Sequence, residues 1–100
     1  MIVRDGNALR VQGPITMATA RAVLEEGLGL FAQDDLQIDL GEVQEVDSSA
    51  VSLLLEWVRA ARGKNRRLTY VNLPENLKSL ASLYGVLELL PRGDAPGRDG

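Results

Sequence analysis

Between residues 36 and 71 the chain spells out a strand, a long helix and a second strand, and this run limits the folds open to it. Leu36-Gln37-Ile38-Asp39-Leu40 alternates apolar and polar residues, the period of a strand buried on one face. Asp47-Ser48-Ser49 opens a helix expected to run to about residue 62, with Gly63 at the C′ position that favours glycine. Arg67-Leu68-Thr69-Tyr70-Val71 is the next strand. A strand, a crossover helix and a strand in this order form a βαβ unit, so the two strands are expected to be parallel.

The flanking segments add to this unit. Ile2 and Val3, the turn signal Asp5-Gly6-Asn7, and the alternating Ala8-Leu9-Arg10-Val11-Gln12 predict a hairpin with Leu9 and Val11 facing the core. Gly13-Pro14 stops that strand. Thr16 is the expected N-cap of a helix over residues 17–31, whose apolar face is Ala20, Val23, Leu24, Leu28 and Phe31. Gly27 and Gly29, costing about 1 kcal/mol each inside a helix, are expected to fray its end. Pro74 begins a helix through about residue 84, Gly85 breaks it, and residues 86–90 form a short strand or helical turn. The order β-β-α-β-α-β-α predicts an α/β fold, a mixed sheet of four to five strands with helices packed mainly on one face.

With 100 residues, a single domain is expected over residues 1–91, and the Gly-, Pro- and charge-rich residues 92–100 read as a disordered tail. The chain has no cysteine and no histidine. That removes thiolate chemistry together with the commonest general base and the commonest metal ligand, so neither a catalytic centre nor a metal or other cofactor is expected. A net charge of −3 argues against nucleic acid as a partner. No apolar run is long enough to insert in a membrane and no signal peptide is visible, so a cytoplasmic location is expected.

The residues Val46-Asp47-Ser48-Ser49-Ala50 carry the functional question. Asp47 or Ser48 is suited to cap the helix, with the carboxylate complementing its positive end. Ser48 also suits a switch: a phosphate there would be favoured by the helix end and opposed by Asp47. On a helical wheel Val51, Leu54, Leu55 and Val58 form the core stripe, whereas Ala50, Leu53, Trp57 and Ala60 form a second stripe on the far side. Two readings of that stripe stand: neighbouring helices cover it, or it is an exposed apolar patch anchored by Trp57 that binds a partner and permits weak self-association. The candidate partner-binding set is therefore Asp47, Ser48, Ser49, Ala50, Leu53, Trp57 and Ala60, with Ser48 as the candidate switch.

The strand Ile38-Asp39-Leu40, the short loop, Val46-Asp47-Ser48-Ser49-Ala50 and the Leu-rich helix resemble the STAS domain of anti-sigma-factor antagonists, the SpoIIAA-like fold. In regulated members the first Ser or Thr after the Asp is phosphorylated, which the resemblance carries to Ser48. The family's usual Gly two positions later is Ala50 here, less permissive if the turn is tight. The ending Leu83-Tyr84-Gly85, followed by Val86-Leu87-Glu88-Leu89-Leu90-Pro91, is similar to that of the MlaB-type STAS subunits of Mla phospholipid-transport ABC complexes. This resemblance spans about residues 8–91. It implies a non-catalytic subunit that binds the cytoplasmic, MlaF-like ATPase at the inner face of the inner membrane and serves outer-membrane lipid asymmetry. The alternative it leaves open is an anti-sigma-factor antagonist.

Other groups carry less. Arg62, Lys64, Arg66 and Arg67 cluster near a helix C-terminus, where cations are favoured, and no aromatic platform accompanies them for RNA. Tyr70 and Tyr84 read as core-edge residues with a wet hydroxyl. Glu25-Glu26 and Asp34-Asp35 are neighbours that point apart and form no acid–base pair. No Walker-type phosphate loop is present in the sequence.

Overall fold

A computed structural model describes residues 2–30 and 35–93. The chain opens with the expected hairpin, β1 (Ile2–Asp5) and β2 (Ala8–Gln12), paired antiparallel with Ile2 opposite Val11. Gly6 takes φ 66° at the first position of the two-residue turn, a conformation that suits glycine. Next come α1 (Ala20–Leu30), β3 (Leu36–Glu42), α2 (Ser48–Gly63), β4 (Leu68–Val71) and α3 (Glu75–Leu83). A 3₁₀ turn over Leu87–Leu89 follows α3.

The sheet order is β1-β2-β3-β4, with β2–β3 and β3–β4 both parallel. The βαβ expectation for β3 and β4 is met. The end of the chain adds one further parallel bridge, Tyr70 to Arg92: Tyr70 N donates to Pro91 O (2.7 Å) and Gly93 N to Tyr70 O (3.0 Å). Arg92 and Gly93 are thus tied to β4 and do not belong to a loose tail, and residues 94–100 lie outside the described residues.

Alternation sets the two faces of the sheet. Leu9, Val11, Ile38, Leu40 and Tyr70 are buried under the helices, whereas Arg10 and Gln37 are exposed on the other face and Asp39 is half-buried there. Asp39 Oδ1 accepts from Gly41 N (2.8 Å) and Asn72 Nδ2 (3.2 Å), joining the ends of β3 and β4.

The first helix departs from expectation at both ends. Residues 16–19 form a hydrogen-bonded turn that feeds α1: Thr16 O accepts from Thr19 N (2.9 Å) and Ala20 N (2.8 Å), while Thr19 Oγ1 accepts from Thr16 N (3.0 Å) and donates to Pro14 O (2.9 Å), so the regular helix begins at Ala20, later than expected. At the other end the helix runs through Gly27 and Gly29. Gly27 is buried, and a Cβ there would lie 2.4 Å from Trp57 Cζ2. The glycine lets an indole ring lie against the helix backbone, and this packing overrides its weak propensity. Leu28 is exposed instead of facing the core, and Phe31, the last residue of the expected face, lies outside the described residues.

The ends of α2 and α3 share one device. At α2, Arg66 N donates to Ala61 O (2.8 Å) and Asn65 N to Arg62 O (3.0 Å), with Asn65 at φ 57°. This is a Schellman closure whose left-handed residue is Asn65, not Gly63, which remains helical. At α3 the same pair of bonds, Val86 N to Ala81 O (2.9 Å) and Gly85 N to Ser82 O (3.0 Å), places Gly85 at φ 72°. The helix-breaking role expected of Gly85 is the one it performs.

Candidate functional site

Asp47 is the pivot of the junction before α2. Its Oδ1 accepts from Ser49 N (2.8 Å), capping the helix, and its Oδ2 accepts from Met17 N (2.8 Å) in the turn before α1. A short parallel bridge brings these loops together: Ile15 N donates to Glu45 O (2.9 Å) and Asp47 N to Ile15 O (3.3 Å). The Met17 hydrogen bond is the largest influence on the Asp47 carboxyl; burial, the second, opposes it, and with the help of Ser49 the balance holds the group below its usual pKa. The carboxylate therefore does more than cap α2, because it fastens the start of α2 to the entrance of α1. The sequence shows the cap, but nothing in it signals the contact with Met17, a residue 30 positions away.

Ser48, the first residue of α2, is exposed, and Ser49 is half-buried. Met17 stands on the same junction with 82% of its surface exposed. A phosphoryl group on Ser48 would sit at the first turn of a 16-residue helix, beside a carboxylate whose two oxygens are already engaged.

The second stripe of α2 is not a surface. Ala50, Leu53 and Trp57 are each no more than 3% exposed, and Ala60 is half-buried against the core. The covering-helix reading is the correct one, and these residues cannot form an exposed partner-binding patch on this fold. Trp57 packs on α1 at Gly27, and its Nε1 donates to Leu24 O (3.2 Å). The reason is topological. With the sheet beneath it and α1 and α3 alongside, α2 buries both apolar stripes and shows solvent only a narrow polar strip. That strip runs from Ser48 through Ser52 and Glu56 to Arg59, with Arg59 Nη1 2.6 Å from Glu56 Oε2.

The sequence model of the family described as "Mlab, STAS domain" matches residues 2–91. The chain belongs to the STAS domain family. No curated protein matches it. Among solved structures, SpoIIAA, an anti-sigma factor antagonist in its unphosphorylated form, superposes with a TM-score of 0.73 at 15% identity, over 96% of this chain and 87% of that one. A STAS domain protein from Planctomyces limnophilus gives 0.70 at 14%, over 96% and 90%. RsbS from Moorella thermoacetica gives 0.67 at 17%, over 96% and 86%. At these identities the likeness is one of fold.

Within this STAS fold the two tyrosines separate. Tyr70 is fully buried and its hydroxyl donates to Leu54 O (2.6 Å), so it is not wet, and burial pushes its pKa well above the ordinary value. Tyr84 is exposed at the end of α3, as is Leu83 before it at 76%. Asp35 Oδ1 accepts from Arg67 N (2.9 Å), a structural bond, whereas its neighbour Asp34 lies outside the described residues. Among the described residues no group of three or more acidic side chains could hold a metal ion, and no helix is long and apolar enough to cross a membrane.

Proposed function

We propose that this STAS domain is a non-catalytic subunit that binds the cytoplasmic ATPase of an Mla-type ABC phospholipid transporter and supports its assembly or activity. The match over residues 2–91 to the family described as Mlab, STAS domain, carries this reading. The Leu83-Tyr84-Gly85 ending supports it, because Leu83 and Tyr84 stand exposed beyond the requirements of the core. The contact is centred on the Ser48 pole: Asp47 sets the backbone, while Ser48, Ser49 and the exposed Met17 offer the surface. Ala50, Leu53 and Trp57 act from beneath, holding α2 in place. The protein sits at the cytoplasmic face of the inner membrane through its partner.

The test is co-purification of the tagged chain with a co-expressed Mla-type ATPase. The parent and Ser48→Ala should retain the ATPase. Ser48→Glu should lose it while keeping its circular dichroism spectrum, because the residue is exposed and the helix start tolerates an added carboxylate. Equal retention by Ser48→Glu would remove the Ser48 pole from the interface, and no retention by the parent would refute the transporter reading.

The exposure of Ser48 on the first turn of α2 favours a second reading, an anti-sigma-factor antagonist switched by phosphorylation at Ser48. Phosphate found by mass spectrometry at Ser48 after incubation with an anti-sigma kinase, with loss of binding to that kinase, would decide for it.

A further inference from the structure

At the opposite end of α2, about 24 Å from Ser48 at 1.5 Å per residue, the fold holds a cavity of about 250 Å³. Arg62, Arg66 and Arg67 line it over an apolar floor that includes Val58 and Leu68, with Leu89 at its edge. The helix end accounts for little of this charge. Only Arg62 lies in the last turn of α2, and Arg66 and Arg67 come after the helix has closed. None of the three guanidinium groups has an ion-pair or hydrogen-bond partner among the described residues, although four other ion pairs form on the surface. Glu88 is the one acidic residue lining the cavity, and the nearby Asp35 is engaged with Arg67 N.

The cavity is also rigidly framed. Arg66 N is bonded to Ala61 O (2.8 Å), and Arg67 O accepts from Leu36 N (2.8 Å). Leu89 is 59% exposed, yet its N–H donates to Val86 O (2.9 Å), and Leu90 beside it is 3% exposed. A leucine held outward by a fixed backbone, next to three unpaired guanidiniums, is complementary to a carboxylate with an apolar neighbour.

We propose that this cavity docks an acidic, leucine-bearing segment of a partner protein, its carboxylates received by Arg62, Arg66 and Arg67 and its apolar side chain laid on Leu89. A small concave site on a chain of net charge −3 suits a local anion rather than an extended anionic surface. The site is separate from the Ser48 pole and does not depend on the transporter reading.

The test is a titration of the ¹⁵N-labelled full chain with acetyl-Leu-Glu-Glu-Leu-amide, followed by NMR. Saturable shifts are expected at the Leu89 and Arg66 amides and at the arginine Nε resonances, with none at Ser48. Affinity should fall about tenfold or more in Arg66→Gln/Arg67→Gln, since each charge-assisted bond contributes that order, and it should fall in Leu89→Ser. The Gln-Gln analogue of the peptide should not bind. These exposed positions leave the fold intact, which circular dichroism checks. No shift at millimolar peptide, or equal shifts with the Gln analogue, would overturn the proposal. So would arginine-dependent sedimentation with phosphatidylglycerol vesicles in the absence of peptide binding, which would assign the cavity to a lipid surface.

Discussion

Gly27→Ala places a single methyl group where the structure has no room for it. In most helices the change is favourable by about 1 kcal/mol. Here the new Cβ would lie 2.4 Å from Trp57 Cζ2, 2.6 Å from Cε2 and 2.7 Å from Nε1. The indole is fully buried and tied to Leu24 O, so it cannot swing into solvent to make way. Overpacking of this kind costs about 1–3 kcal/mol. Three ring atoms of a buried indole within 3 Å of the new carbon put this site in the upper part of that range, about 2–3 kcal/mol. Set against the helix gain, the expected net loss is about 1–2 kcal/mol, a fall in Tm of roughly 5–15 °C for a domain of this size. Urea unfolding followed by far-ultraviolet circular dichroism measures it, together with Trp57→Phe and the double variant. Trp57→Phe removes the atoms that clash, so the added methyl should cost about 1 kcal/mol less in the Phe background. A Gly27→Ala protein as stable as the parent, or a cycle with no coupling, would refute the packing of α1 on α2 through this glycine.

Two other expectations follow from single contacts. Tyr70→Phe removes the buried bond to Leu54 O (2.6 Å) and should cost about 1 kcal/mol, read as a lower urea midpoint; an unchanged midpoint would show the hydroxyl to be dispensable. Asp47 has a folded pKa below the ordinary aspartate value of 3.8, so its contribution to stability is present above that value and disappears as pH falls through the lower folded pKa. Asp47→Asn should therefore be less stable than the parent near neutral pH and lose less Tm between about pH 5 and 2; parallel Tm curves for the two proteins would contradict the double staple.

Local patterning determined the secondary structure and much of the topology. The alternation of Leu36, Ile38 and Leu40, the hairpin around Gly6 and the stop at Gly85 are each written within a few residues, because strand faces and turns depend on near neighbours. The parallel pairing of β3 and β4 followed from the length and handedness rules of a βαβ connection. The Asp47-Ser48-Ser49 helix start was legible for the same local reason.

Only the tertiary structure decided which apolar surface remains exposed. A wheel shows that Ala50, Leu53 and Trp57 share a stripe, but whether the stripe meets solvent depends on where α1 lies, and α1 is brought there by distant contacts. The same geometry turned Gly27 from a weak point of α1 into a packing requirement, and Asp47 from a helix cap into a staple between two loops. It also gathered Arg62, Arg66, Arg67 and Leu89 around one cavity although more than 20 positions separate the arginines from the leucine. The local sequence encodes each element and its ends, whereas burial and the assembly of a site belong to the packing of elements far apart in the chain.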